Sequence, residues 1–423
     1  MGKWRMQRRT WELPALSRPQ RTGPHQQGQN FPRHSRRNGG TMGRARDYLI
    51  ISPPRCLRRR GVGGYMQFKR EKWELRQMQA MPLRLKIQMT AQRIESWYGY
   101  WDSYNIRWED DGPPGVYLSF SGGKDSTVLR HILKNHCIAV YDCPVVFVDT
   151  GLEYPEVRNF AIQNADVVLR PKMNFRQVIL KYGYPVIGKN QARYIRDLQN
   201  AHGQNDATVN LRLTGYNRAG QYCPTMKLAD KWQFLRGAPF KISEQCCDVM
   251  KKEPMRRYQK ETRRMPIVGT MCTESQSREK SWLMNGCNAF EAKYPQSRPM
   301  SFWTENDVLM YLFLYDVPYA SVYGDIRCRF KGEECTPEDA RRMLLSDRPA
   351  DDYAWENNFE FYTTGVSRTG CMFCAFGAHL ESCPNRFQQM QVSHPKQYDY
   401  CMRPVDQGGL GMAEVLNYIG VDH

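Results

Sequence analysis

The sequence predicts an α/β fold: an open, mostly parallel sheet flanked by helices, followed by a helical C-terminal part that carries a cysteine cluster. Three observations predict it. From Val116 onward, short apolar runs alternate with amphipathic stretches, as strand–helix–strand units do. A glycine-rich loop joins the first run to the first helical stretch. A Cys-Cys pair at 246–247 and a Cys-x-x-Cys at 371–374 stand far apart in the chain, in a pattern suited to one shared centre.

The elements follow in order. Residues 1–65 contain fifteen Lys/Arg against two acids, Glu12 and Asp47, and so hold most of the net charge of +18. They are rich in Arg, Gly, Gln and Pro and lack periodicity. They are expected to be a disordered basic arm or a spurious extension, with Met66 or Met81 as the natural start. The remainder is only mildly basic, which does not imply a broad nucleic-acid-binding face. Residues 66–115 read as a helical lead-in, with a helix over roughly 84–101 and a turn cluster at Asp110–Gly115. Val116–Phe120 is a strand, Ser126–Lys134 a helix, and Pro144–Asp149 an apolar run expected to be a strand buried on both faces. A helix opens at Tyr154-Pro155-Glu156, Asp166–Leu169 is a third strand, and Pro266–Gly269 a further one. Residues 116–300 are thus expected to form a nucleotide-binding α/β domain. Residues 301–423 are the helical C-terminal region, opening with a helix over 301–315 capped by Thr304 or Ser301.

Hydrophobic residues make up 41% and charged residues 25% of the 423, ordinary values for a soluble globular protein. No run approaches the ~18 apolar residues of a membrane span, and no apolar stretch follows the basic N-terminus as in a secretory signal. The expected location is cytoplasmic, with no membrane partner. Fourteen cysteines in a reducing compartment point to metal ligands or reactive thiols rather than disulfides.

The loop Ser119-Phe120-Ser121-Gly122-Gly123-Lys124-Asp125-Ser126 carries the sharpest signal. Gly122 and Gly123 let the backbone turn and bring its N–H groups close to a ligand. Those groups and the helix start make an anion site. Ser119, Ser121 and Ser126 add hydroxyls, Lys124 adds charge, and Asp125 orders the loop or helps hold Mg²⁺. The pattern differs from the Walker loop, which needs four residues between its Gly and its Gly-Lys. Asp149 ends the second strand at the edge where open α/β sheets bind ligands; it is expected to contact nucleotide, the alternative being a cap for the next helix. Ser275 and Arg278 follow the Pro266–Gly269 strand and are expected to grip an anion. The alternative is a Glu274–Arg278 helix-surface pair.

Cys246, Cys247, Cys371 and Cys374 make four thiolates, which suit zinc or a [4Fe–4S] cluster. Cys137 and Cys143 are expected in the core. Cys223 is an extra ligand or redox thiol, and Cys287, Cys328, Cys335, Cys383 and Cys401 carry no assignment.

The loop resembles that of the N-type ATP pyrophosphatases, the PP-loop superfamily. Asp149-Thr150-Gly151…Pro155-Glu156 and Gly269–Arg278 resemble segments of its phosphoadenosine phosphosulfate (PAPS) reductase family, in a member of phage or bacterial type. The resemblance implies a Rossmann-like, adenine nucleotide alpha hydrolase-like sheet. It implies nucleotide contacts from Ser119, Ser121, Gly122, Gly123, Lys124, Asp125, Ser126, Asp149, Thr150, Gly151, Ser275 and Arg278, with Lys124, Asp125 and Arg278 in the catalytic role. The nucleotide is ATP, or the sulfonucleotides APS or PAPS, with Mg²⁺. Cys-Cys…Cys-x-x-Cys resembles the adenosine phosphosulfate (APS) reductase branch and implies a [4Fe–4S] cluster, zinc being the alternative. Two departures stand out. The complete Ser-Gly-Gly-Lys-Asp-Ser is that of ATP users, and the tail Leu416–His423 lacks the nucleophilic cysteine of the reductases, Cys401 being the nearest. The expected reaction therefore lies at the α-phosphate of ATP, in sulfur metabolism or sulfur transfer. Its acceptor is a nucleic acid or sulfate, and its partner is thioredoxin-like or a cysteine desulfurase. The alternatives are a true APS or PAPS reductase and a non-catalytic nucleotide or cluster sensor.

Overall fold

A six-stranded sheet in the order β3-β2-β1-β5-β7-β6 organises the computed structural model. Residues 70–105, 115–138, 140, 143–346 and 355–423 are described, so the expected basic arm over 1–65 and the turn at 110–114 lie outside the described residues. The strands are β1 (Val116–Phe120), β2 (Val145–Val148), β3 (Val167–Leu169), the short β4 (Val186–Ile187) outside this sheet, β5 (Met265–Val268), β6 (Asn288–Ala289) and β7 (Gln296–Ser297). All pairings in the sheet are parallel except β6 with β7.

The first helices are α1 (Lys72–Gln79), α2 (Leu83–Asn105), α3 (Lys124–His136) and α4 (Pro155–Asn164). Helix α2 runs longer than its expected 84–101, and α3 begins at Lys124, two residues earlier than expected. The apolar run of β2 is buried along its whole length, as a strand covered on both faces must be. Leu118, Phe120 and Phe147 join the core formed with α2 and α3, while Tyr117 and Val146 face the other side with Tyr258. This is the period of two of a strand.

Then come α5 (Phe175–Tyr182), α6 (Lys189–Gln199), α7 (Asp206–Thr214), α8 (Glu253–Thr262), α9 (Gln276–Asn285) and α10 (Glu305–Leu314). Thr304, not Ser301, caps α10: its hydroxyl accepts from the Asp307 N–H. Asp307 also takes the buried Lys86 ammonium at 2.7 Å, tying the lead-in to α10.

The C-terminal part holds α11 (Pro337–Leu345), α12 (Arg386–Ser393), α13 (Pro395–Met402) and α14 (Met412–Tyr418). It also contains an antiparallel sheet, absent from the sequence reading: β8 (Ile326–Phe330), β9 (Glu333–Cys335) and β10 (Phe359–Thr363), ordered β10-β8-β9. Lys331 and Gly332, both at positive φ, make the two-residue turn between β8 and β9. A second core joins Phe175, Ile195 and Ile242 with Phe373, Phe387 and Leu416. Among the described residues no helix is long and apolar enough to cross a membrane.

Candidate nucleotide site and cysteine centre

Strands β1 and β5 are hydrogen-bonded neighbours, although β2 and β3 lie on the far side of β1. The chain reverses its direction of winding there, and ligands of open α/β sheets bind beyond the carboxyl ends of strands at such a point. The β1 end carries the glycine-rich loop, and the β5 end carries Gly269–Arg278. The two loops touch: a Cβ on Gly269 would lie 3.2 Å from the Ser126 Cα.

Local chemistry shapes the loop. Gly122 has φ +73°, and a Cβ there would stand 2.7 Å from the Val157 carbonyl and 2.8 Å from the Ala161 Cβ, so only glycine fits. Gly123 is the N-cap of α3 and offers no side-chain cap. The Ser126 hydroxyl accepts from the Ser121 N–H at 3.2 Å, pairs with the Ser121 hydroxyl at 3.0 Å and donates to the Gly123 carbonyl at 2.9 Å.

Lys124 does not extend into open space. It is 4% exposed, and its ammonium donates to the Ser367 carbonyl at 2.6 Å and pairs with Glu305 at 2.8 Å. Its backbone N–H donates to the Tyr323 hydroxyl at 3.2 Å. Asp125 is half-buried, but its Oδ1 is fully buried without a hydrogen-bond partner. Burial raises its pKa from 3.8 to about 6, with Glu274 and Glu305 adding to the effect and Lys124 opposing it.

The other expected residues are engaged by protein groups. Asp149 receives a bidentate Arg158 at 2.6 and 2.7 Å, with Arg170 at 3.5 Å, and the Arg158 hydrogen bond foremost holds its carboxyl below the usual range. It does not cap the next helix; Tyr154 is the N-cap of α4. Thr150 donates to Glu153 at 2.7 Å, and Gly151 has φ +71° with open space beside it. Ser275 caps α9 by accepting from the Arg278 N–H. Arg278 pairs with Glu274, so the surface pair named as the alternative is formed.

Ser119 and Ser121 line a cleft of about 150 Å³ together with Glu153, Lys251, Thr369 and Gly370. Lys251 also lines a small cavity of about 20 Å³ shared by Cys246, Cys247, Cys371 and Cys374. The two cysteine halves, 124 residues apart from Cys247 to Cys371, meet because of one segment. Ser243 donates its N–H to the Tyr184 carbonyl, and the strand β11 (Ala375–Phe376) pairs with β4. Tyr184–Ile187 thus holds the Cys-Cys half on one side and the Cys-x-x-Cys half on the other. The Met372 N–H donates to the Leu152 carbonyl at 2.7 Å, fixing the second half to the loop after β2. A π-helical turn, Asp248–Lys252, follows the Cys pair directly; such turns often mark functional sites.

The thiol–thiol hydrogen bond splits the adjacent pair, raising the Cys246 pKa and, helped by Lys189, Lys251 and Lys252, lowering that of Cys247. Burial raises Cys371 and pushes Cys374 up to about 11. Burial opposes charge on Lys251, but Cys371 and Glu153 outweigh it and hold the ammonium protonated. The donor set fits a thiolate-ligated group, and Cys246, Cys247, Cys371 and Cys374 would hold it. Among the described residues no group of three or more His, Cys, Asp or Glu side chains is arranged around one ion position, so the thiols share a cavity rather than a single focus.

Cys223 does not line this cavity, and its thiol receives the Asn217 amide at 3.9 Å. Cys137 and Cys143 lie in the core as expected, both pushed up to about 12 by burial. Cys401 is 0% exposed. The sequence reading missed Tyr323, Glu305, Ser367 and Thr369. Thr369 had a usable signal, standing two residues before Cys371; Tyr323 had none. A larger cavity, about 760 Å³, lies between α10, α11 and the antiparallel sheet and contains none of the expected site residues.

Residues 115–194 and 216–375, more than half of the chain, match the family model of the phosphoadenosine phosphosulfate reductase domain. The chain belongs to this family. As a PAPS reductase domain it lies in the PP-loop superfamily. An uncharacterized protein of Methanocaldococcus jannaschii, MJ0973, is 28% identical over 218 residues, covering 49% of this chain. The match spans 38% of that protein's length.

Proposed function

We propose that this PAPS reductase domain binds ATP with Mg²⁺ at the Ser119–Ser126 loop and acts at the α-phosphate. An acceptor oxygen attacks the α-phosphorus, the bond from that phosphorus to the bridging oxygen breaks, and pyrophosphate leaves. The acceptor, now adenylated, is open to displacement by sulfur. The observation that carries this reading is the shared wall: Lys251 lines both the cleft at Ser119 and Ser121 and the four-thiol cavity. A nucleotide in the cleft would sit beside a sulfur-handling centre.

The roles follow from charge. The loop N–H groups, Ser121 and Lys124 neutralise phosphate, while Asp125 holds the loop or the Mg²⁺. Asp149, Thr150, Gly151, Ser275 and Arg278 are the further nucleotide contacts; Arg278 serves by giving up Glu274 for a phosphate oxygen. A [4Fe–4S] cluster on the four cysteines would supply a store of sulfur for delivery to the acceptor or a brace between the two halves. The acceptor classes are a nucleic acid and sulfate, with a thioredoxin-like protein or a cysteine desulfurase as the sulfur-side partner.

The family match favours a second reading, reduction of APS or PAPS to sulfite through a thiosulfonate on a cysteine. Cys401, the nearest to the tail position, is buried in the core and unsuited to that attack. The test is anaerobic protein with ATP: pyrophosphate release that Lys124→Ala abolishes supports adenylyl transfer. Sulfite from APS or PAPS with thioredoxin, and no pyrophosphate from ATP, would establish the second reading instead. Neither product would leave a nucleotide or cluster sensor.

A further inference from the structure

The Lys124 groups that the loop would offer to a phosphate are already occupied by the protein itself. Three oxygens sit on Lys124: the Tyr323 hydroxyl on its N–H at 3.2 Å, the Ser367 carbonyl on its ammonium at 2.6 Å and Glu305 at 2.8 Å. Tyr323 and Thr369 share a hydrogen bond of 2.6 Å directly over Gly123, where a Cβ would meet the Tyr323 hydroxyl at 3.3 Å and Thr369 at 3.5 Å. The same segment is pinned to Tyr323 from below, because the Gly365 and Val366 N–H groups donate to the Tyr323 and Val322 carbonyls. Two residues after Thr369 the chain reaches Cys371.

We infer that Tyr323 and the strap Ser367–Thr369 are part of the phosphate site. Their oxygens sit on donors that a phosphate would use, so a bound pyrophosphate group competes with them. This rests on the proposal that the loop binds nucleotide. The Lys124 backbone N–H has one hydrogen to give, so it cannot go to a phosphate oxygen while the Tyr323 hydroxyl, itself bonded to Thr369, holds it, whereas the ammonium has one of its three donors left beside Ser367 and Glu305. Displacement therefore moves the strap, and the strap leads into the Cys-x-x-Cys. Nucleotide binding and the conformation of the second cysteine half are thereby coupled.

The coupling makes a prediction of unusual sign. Tyr323→Phe removes the hydroxyl that competes with phosphate for the Lys124 N–H, so it should tighten ATP binding about fivefold, the equivalent of one net hydrogen bond. Thr369→Val acts from the other side of the same bond without touching Lys124, and should tighten binding in the same direction. The probe is MgATP, titrated calorimetrically into full-length protein with its cysteine centre intact. Hydrogen exchange supplies the second readout: MgATP should accelerate exchange at Gly365 and Val366 at least tenfold. Binding to the wild type that is unchanged or weaker in both variants, or strap amides slowed by MgATP, overturns the strap while leaving the nucleotide reading in place. Absence of MgATP binding in wild type and variants alike overturns both.

Discussion

Replacing Asp125 by Asn should stabilise the protein above pH 6 and have little effect near pH 4. Asp125 Oδ1 is buried with no hydrogen-bond partner, and burial raises the carboxyl pKa from 3.8 to about 6. The sign follows from proton linkage. The folded state binds this proton more tightly than the unfolded chain does, so stability grows as pH falls from about 6 to 3.8 and is level below that range. Above pH 6 the folded state carries a buried charge. A shift of about 2 units at 1.36 kcal/mol each amounts to roughly 3 kcal/mol. The Asn amide needs a partner of its own, at a cost of about 1–3 kcal/mol, which reduces the gain to roughly 0–2 kcal/mol. Urea unfolding of both proteins at pH 8, 6.5, 5 and 4 measures the difference. An Asp125→Asn protein less stable than wild type at pH 8, or a difference constant from pH 4 to 8, would refute the buried-charge account.

Three further perturbations test the frame around the site. Gly122→Ala should cost about 2 kcal/mol or more, since it combines φ +73° with a Cβ 2.7 Å from a carbonyl; thermal unfolding reads this. Lys86→Met should cost about 3–5 kcal/mol by leaving Asp307 charged and buried, and adding Asp307→Leu should recover much of the loss in a double-mutant cycle. Cys371→Ser should abolish visible Fe–S absorbance in anaerobically purified protein, whereas Cys223→Ser, outside the cavity, should not; a fully active zinc-only preparation would refute the cluster.

The local elements were legible because local chemistry makes them. The wholly apolar run of β2, Pro155 at the start of α4 and the capping of α10 by Thr304 are written within a few residues each. The antiparallel β8–β10 sheet left little trace in the sequence because its strands mix Arg, Glu and Cys with apolar residues and β10 joins β8 across a long connection. In the site, Gly122 declared itself by type, since its backbone demands glycine. Asp149 did not: its carboxylate could serve a ligand, a helix end or an arginine, and only the fold brings Arg158 onto it.

The sequence by itself determined the strand–loop–helix unit and singled out the glycine-rich loop as a place for an anion and the four cysteines as a set. Residue type and short-range spacing suffice for these. The tertiary structure decided that the cysteine halves meet across Tyr184–Ile187 and that Lys251 stands between thiols and cleft. It also decided that Tyr323 and Ser367 occupy Lys124. These depend on chain segments separated by 59 to 243 residues, whose meeting is set by how the two cores pack and leaves no periodic trace along the chain.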